Sequence, residues 1–139
     1  MHIYYWGANN LGDLLNIYIG LKNGFTSFKK IVASKNGGNS DGIFMIGSVL
    51  LYITAGNIVM GVGFKECTHR LTPSQLDSNN FVYVRGNGTI ENLGTTKDIS
   101  IFEPGLVIRK YIRTVNDRFE KFLFLPHYDQ YSFFQKKVL

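Results

Sequence analysis

The chain has 139 residues, of which 45% are hydrophobic and 18% charged, with 15 glycines; it reads as one globular domain with a core of its own, too short for a two-domain enzyme. A formal charge of +5 suits an anionic ligand, yet apart from Lys29-Lys30 and residues 109–113 the basic residues are scattered and accompany no nucleic-acid signature, so nucleic acid is not an expected partner. The single cysteine, Cys67, excludes an intrachain disulfide and a cysteine zinc site, and reads as buried filler.

Residues 2–6, His-Ile-Tyr-Tyr-Trp, have the aromatic and β-branched content of a strand. A helix is expected over 11–21, because Leu11, Leu14, Leu15, Tyr18 and Ile19 recur at the i, i+3, i+4, i+7, i+8 spacing of one apolar face. Asn9 or Asn10 can cap it. With Asn10 as the cap, Asp13 stands at the third helical position, where its carboxylate meets the cap's own N–H and the positive end of the helix dipole. Asn23-Gly24 closes the helix. Residues 29–34 read as a further strand, and Asn36-Gly37-Gly38-Asn39-Ser40 as a flexible connection.

From Gly42 to Phe64 the chain runs 23 residues without a charge, long enough to cross a bilayer. The run holds five glycines, however, and Thr54-Ala55-Gly56-Asn57 reads as a turn at its middle. Strands at 42–46 and 57–60, with a helix at 48–53 between them, fit a buried parallel sheet, whose strands are near-continuously apolar. Further strands are expected at 81–84, 99–102 and 121–125, and helices at 89–93 and 105–112. Asn87-Gly88 is a hairpin signal and keeps a β-rich barrel in competition, but the segment after Thr89 lacks period-two alternation. The alternating elements predict a single α/β domain over 1–139, a Rossmann-like parallel sheet with flanking helices.

In such sheets ligands bind outside the carboxyl ends of the strands. Those ends carry Asn10, Gly12 and Asp13, then Gly47 and Ser48, Gly61 and Gly63, Arg85 and Thr89, Glu103, and finally His127. Glycines let a ligand approach the backbone, while Arg85 and the helix N-termini offer positive potential to a phosphate or carboxylate. Asp13 is a candidate base as well as a capping carboxylate, and His127 titrates near neutral pH. Gly61-Val62-Gly63 is no dinucleotide fingerprint, because Glu66 stands where the last glycine is required. No nicotinamide, flavin or metal cofactor is expected, and the chain lacks a Walker sequence, a nucleophile elbow and paired zinc histidines.

These blocks, in this order, resemble the polysaccharide pyruvyl transferase family, in particular its exopolysaccharide ketal-pyruvate members. Asn10-Leu11-Gly12-Asp13-Leu14-Leu15-Asn16 is similar to the family's opening N-F-G-D-x-L-N, and Ile46-Gly47-Ser48-Val49-Leu50 to its G-S-x-L block. Met60-Gly61-Val62-Gly63 resembles W-G-S-G, Val84-Arg85-Gly86-Asn87-Gly88-Thr89 resembles V-R-G-P-x-T, and Glu103-Pro104-Gly105-Leu106-Val107 resembles D-P-A/G-L-L. Pro126-His127-Tyr128 matches the closing P-H-Y. The resemblance implies transfer of pyruvate from phosphoenolpyruvate, as donor substrate, to a glycan or lipid-linked oligosaccharide, forming a cyclic ketal in exopolysaccharide biosynthesis. It implies catalytic parts for His127 and Asp13, and substrate-binding parts for Asn10, Gly12, Gly47, Ser48, Gly61, Gly63, Arg85, Thr89 and Glu103. It also implies a GT-B-like twin-domain transferase of which this chain is the N-terminal half; without the C-terminal catalytic half it is expected to be inactive alone. The departures are Met60 for tryptophan, Val62 for serine, Asn87 for proline and Glu103 for aspartate.

Two other readings remain: a non-catalytic glycan- or anion-binding half-domain that self-associates, and a small membrane protein built on 42–64. With no basic segment leading into an apolar run at Met1-His2, the expected location is cytoplasmic, at the inner face of the membrane for a lipid-linked acceptor.

Overall fold

The computed structural model of the protein describes residues 1–7, 11–34 and 38–111. Asn9, Asn10, the strand expected at 121–125 and the Pro126-His127-Tyr128 block lie outside the described residues. Six strands, β1 (His2–Tyr5), β2 (Phe28–Lys30), β3 (Gly42–Phe44), β4 (Ile58–Met60), β5 (Asn80–Val84) and β6 (Ser100–Ile101), form one sheet in the order β2-β1-β3-β4-β5-β6. Every pairing is parallel. A parallel pair needs a crossover and cover on both faces, and the molecule supplies both, in the Rossmann-like α/β class that the alternation predicts.

Ile3 and Ile43 turn to one face, where Ile19 and Leu15 of α1 (Leu11–Lys22) and Val107 of the 3₁₀ segment Pro104–Lys110 pack on them. Tyr4, Phe44, Val59 and Val84 turn to the other, beneath Leu50, Ile53, Leu76 of α2 (Pro73–Asp77) and Leu93 of α3 (Asn87–Leu93). The charge-free run 42–64 is therefore β3, a 3₁₀ turn at Leu50–Tyr52 and β4. No helix among the described residues is long and apolar enough to cross a membrane. Between β4 and β5, Val59 pairs with Phe81 but Met60 with Tyr83, leaving Val82 as an extra residue. That bulge lets Phe81 and Val84, three positions apart, reach the same core.

Helix α1 corrects the sequence reading of its buried face. Its buried residues are Asp13, Asn16, Ile19 and Gly20, while Leu11, Leu14 and Tyr18 are exposed. A Cβ on Gly20 would stand 2.6 Å from Ile3 Cδ1 and 2.7 Å from Phe28 Cε1, so the small-residue side is the side that fits close against the sheet. The helix ends as expected: Phe25 N–H donates to Gly20 O at 3.0 Å and Gly24 N–H to Leu21 O at 3.1 Å, with Gly24 at φ +82°.

Other elements also differ from the sequence reading. The helix expected at 48–53 is a single 3₁₀ turn, in a segment of few residues that includes β-branched Val49 and Ile53. The helix expected at 105–112 is 3₁₀ over Pro104–Lys110, and the strand expected at 29–34 is Phe28–Lys30. Asn87-Gly88 opens α3 rather than a hairpin. Helix α2, not foreseen, begins with Pro73 after a capping box in which Thr72 and Gln75 bond each other's backbone N–H. Cys67 is exposed, not core filler.

The strand beginnings are stitched by asparagines. Asn39, read from sequence as part of a flexible connection, is fully buried: its Oδ1 accepts from Val32 N–H at 2.9 Å, and its Nδ2 donates to Val32 O at 2.8 Å and Tyr52 O at 2.9 Å. Asn57, just before β4, accepts from Gly42 N–H at 3.1 Å and donates to Asn39 O at 2.9 Å. Asn79, just before β5, accepts from Asn57 N–H at 2.8 Å and donates to Thr54 O and Gln75 O at 2.6 Å each. Backbone groups that no neighbouring strand can satisfy thus find amide partners, as buried polar groups must.

Candidate functional site

Because all six strands are parallel, their carboxyl ends form one edge. From β1 the sheet grows outward to β2 on one side and to β3 on the other, so a crevice is expected at the carboxyl ends of β1 and β3. Two polar side chains of α1 fix the chain at these strand ends. Asp13, 7% exposed, accepts a hydrogen bond on Oδ1 from Trp6 N–H at 3.1 Å, fixing the chain where it leaves β1. Asn16, fully buried, accepts from Ile46 N–H at 3.1 Å and donates to Ile46 O at 3.1 Å. The amide thereby imitates a neighbouring strand for the residue just beyond β3. Asn16 also donates to Gly12 O at 3.2 Å, which ties Gly12 to the same corner.

Farther along the edge the loops interlock. Gly63 N–H donates to Gly47 O at 3.0 Å, and Leu50 N–H to Gly63 O at 3.1 Å. A Cβ on Gly63 would stand 2.7 Å from Thr89 Oγ1. Thr89 is buried, and its hydroxyl donates to Arg85 O at 2.7 Å, fastening the first turn of α3 to the end of β5. Gly61, at φ +115°, has Pro104 where a side chain would project. Only glycine lets the start of the 3₁₀ segment close over β4 there.

Above these loops Ser48, Arg85 and Glu103 form a line across the ends of β3, β5 and β6. Arg85 Nη2 donates to Ser48 Oγ in a short hydrogen bond, and Arg85 Nε lies 4.0 Å from Glu103 Oε2. The arginine side chain is 37% exposed and the glutamate 44%. An ion pair so long and so open contributes at most about 1 kcal/mol, so a carboxylate or phosphate arriving from solvent can replace Glu103 at little cost. Trp6 lies at the same edge with its ring stacked on Tyr52 at 5.1 Å.

Of the residues expected at the site, Gly12, Asp13, Gly47, Ser48, Gly61, Gly63, Arg85, Thr89 and Glu103 all occur along this edge, and Asn10 and His127 lie outside the described residues. Among the described residues, Ser48, Arg85 and Glu103 are brought into mutual contact through their side chains. Asn16 was missed as a site residue. Its signal was present, because Asp13, Asn16 and Gly20 make a polar and small stripe at helical spacing.

A concavity of about 490 Å³ lies at the opposite edge, lined by Thr54, Arg70, Thr72, Gln75 and Ser78 among others. Among the described residues its lining includes none of those expected at the site. Arg70 is turned to the carbonyls of Cys67 and His69 at 2.7 and 2.9 Å. The carboxyl edge, where an arginine faces solvent between two exchangeable partners, is the better candidate site.

Comparison with known proteins finds no matching family model, curated protein or solved structure.

Proposed function

We propose that the chain is a polysaccharide pyruvyl transferase-like domain, one half of a twin-domain enzyme that transfers pyruvate from phosphoenolpyruvate to a glycan as a cyclic ketal. The observation that carries this reading is the Ser48–Arg85–Glu103 line at the carboxyl edge. Ketal formation requires the terminal enol carbon to be protonated, two sugar hydroxyls to bond to the carbon that carries the phosphate ester and lose their protons, inorganic phosphate to leave, and cations to hold the carboxylate and the phosphate. Arg85 is the anion-holding group, with Ser48 setting its direction and Glu103 occupying the anion's place until a ligand arrives. Trp6, stacked on Tyr52, offers a flat apolar face to a sugar ring. Asp13 is a positioning residue that acts through Trp6 N–H. The acid-base part that the resemblance gives to His127 falls outside the described residues.

A second reading, a non-catalytic half-domain that binds an acidic or phosphorylated glycan, is favoured by the burial of Asp13, which holds a carboxylate away from solvent. One experiment separates the two. The purified chain is mixed with phosphoenolpyruvate and a pyrophosphate-linked glycan, with and without a separately expressed second half, and phosphate release is followed. Turnover only with the second half, abolished by Arg85→Gln, supports the transferase. Glycan binding weakened by Arg85→Gln, without turnover in either mixture, supports the binding domain. Robust turnover by the chain alone refutes the half-enzyme reading.

A further inference from the structure

The outward face of α1 is apolar. Leu11, Leu14, Tyr18 and Leu21 are 63%, 59%, 38% and 57% exposed. Their 3-4-3 spacing makes one continuous stripe, about 15 Å long, opposite the Asp13–Asn16–Gly20 side that meets the sheet. Leu106, in the 3₁₀ segment that packs beside α1, is exposed with them. Solvent-facing helix positions ordinarily carry polar residues, so a stripe of this kind marks a surface with a partner.

Charge decides which partner. Residues 14–40 contain no Asp or Glu, and neither do residues 104–111. The carboxylate that precedes them on α1, Asp13, is buried and accepts from Trp6 N–H. The cations beside the stripe are exposed. Lys22 closes α1 with its Nζ 5.7 Å from the centre of the Tyr18 ring. Lys110 stands likewise over Tyr111, whose ring meets Tyr18 edge-on. Lys30, in step with Phe28 on the α1 side of β2, lies over Gly7. An apolar strip edged by long cationic side chains is the makeup of a helix lying in a bilayer interface, with the apolar groups below the headgroups and the ammonium groups among the phosphates. Each lysine brought to an anionic surface raises the association constant about fivefold. A second copy would meet this face with the same three lysines, so like charges oppose that contact. Four side chains also fall short of the roughly 800 Å² per partner of a stable protein interface.

We propose that the outward face of α1 docks on an anionic lipid bilayer, with the Leu11–Leu14–Tyr18–Leu21 stripe below the headgroups and Lys22, Lys30 and Lys110 among them. The proposal is independent of the transferase reading.

The test is co-sedimentation of the full chain with vesicles of phosphatidylcholine alone and with vesicles of phosphatidylcholine and phosphatidylglycerol in equal parts. The chain is expected to sediment with the mixed vesicles and to stay in solution with phosphatidylcholine alone. The partition constant should fall about tenfold or more when Leu14→Ser and Tyr18→Ser are combined, and about fivefold in Lys22→Gln. Lys97→Gln removes the same charge beside α2, on the other face of the sheet, and should change it little. No sedimentation with the mixed vesicles would overturn the proposal, as would equal losses for Lys22→Gln and Lys97→Gln. A second measurement reads position directly. In a Cys67→Ser background, an environment-sensitive fluorophore on Leu14→Cys should shift to the blue with the mixed vesicles, and one on Ser74→Cys should not. A shift at position 14 with rising protein concentration but not with vesicles would assign the stripe to a second copy. A shift as large with soluble polyglutamate as with vesicles would assign it to an acidic protein, and either result would overturn the proposal.

Discussion

At the amino edge of the sheet, the backbone groups left open by the strand starts are closed by Asn39, Asn57 and Asn79, all buried and each bonded on both sides of its amide. At the carboxyl edge the corresponding region carries Ser48, Arg85 and Glu103, partly exposed and joined by one hydrogen bond and one long ion pair. The two edges face the same geometric problem, since parallel strands leave unpaired groups at both ends, and they answer it with different chemistry. Short amides with fixed geometry concentrate stability at one edge. Long charged groups in contact with water leave the other edge able to exchange its partners for a ligand's.

Asn57→Ala is the largest test of that contrast. It strands the buried Gly42 N–H and leaves Asn39 O with the Thr54 N–H alone, and the expected loss is about 2–3 kcal/mol in denaturant unfolding, whereas Ser48→Ala is expected to stay within about 0.5 kcal/mol. Similar losses for the two variants would erase the distinction between the edges. Asn16→Ala sharpens it, because Asn16 is an amide of the amino-edge kind placed at the carboxyl edge. Unfolding is expected to become easier by about 1–3 kcal/mol; a neutral effect would mean that Ile46 finds other partners. Asp13→Ala should cost about 1 kcal/mol and Asp13→Asn less, since asparagine keeps an acceptor for Trp6 N–H. Equal midpoints for the two variants would remove the Trp6 bond from the account.

The smallest effect concerns pH at the amino edge. Desolvation, then the Lys29 ammonium and the N-terminus, hold the His2 imidazole below its ordinary pKa, against opposing contributions from Asp41 and the Ser40 backbone. A folded-state pKa below the unfolded value favours the neutral ring, so this contribution is complete above the ordinary histidine range and is lost as the pH falls through it. Thermal midpoints are expected to drop modestly between about pH 7 and pH 5, and His2→Gln should flatten that drop. An identical pH profile for the variant would assign it to other groups.

The sheet was legible because buried parallel strands are near-continuous apolar runs, and 42–46 and 57–60 read that way without reference to distant contacts. The face of α1 was not. Leucines at 11, 14 and 15 with Tyr18 and Ile19 satisfy an apolar period, but the sheet takes the side bearing Gly20, because closeness to Ile3 and Phe28 decides the packing. Asp13 and Asn16 are buried there for the groups they serve, Trp6 N–H and the two backbone groups of Ile46. Asn57 and Asn79 escaped notice for the same reason, since their partners lie as far as 25 residues away. At the site, the rule of strand ends gathers Ser48, Arg85 and Glu103 on one edge, but that Arg85 touches both of the others depends on rotamers, which no pattern of residue types encodes.

The extra residue at Val82 makes the orientation of the rim a matter of parity. In a strand each residue added or removed reverses the side on which everything downstream emerges. Phe81 and Val84 are three positions apart, an odd step that regular alternation would send to opposite faces, and they share a core because the bulge absorbs Val82. Deleting the half-exposed Val82 would leave Phe81 and Val84 two positions apart and still on one face, with Phe81 and Tyr83 opposite Val59 and Met60 in an unbroken ladder. The position is therefore tolerant of chemistry and of its own loss, while a length change that no bulge absorbs would turn over the end of β5.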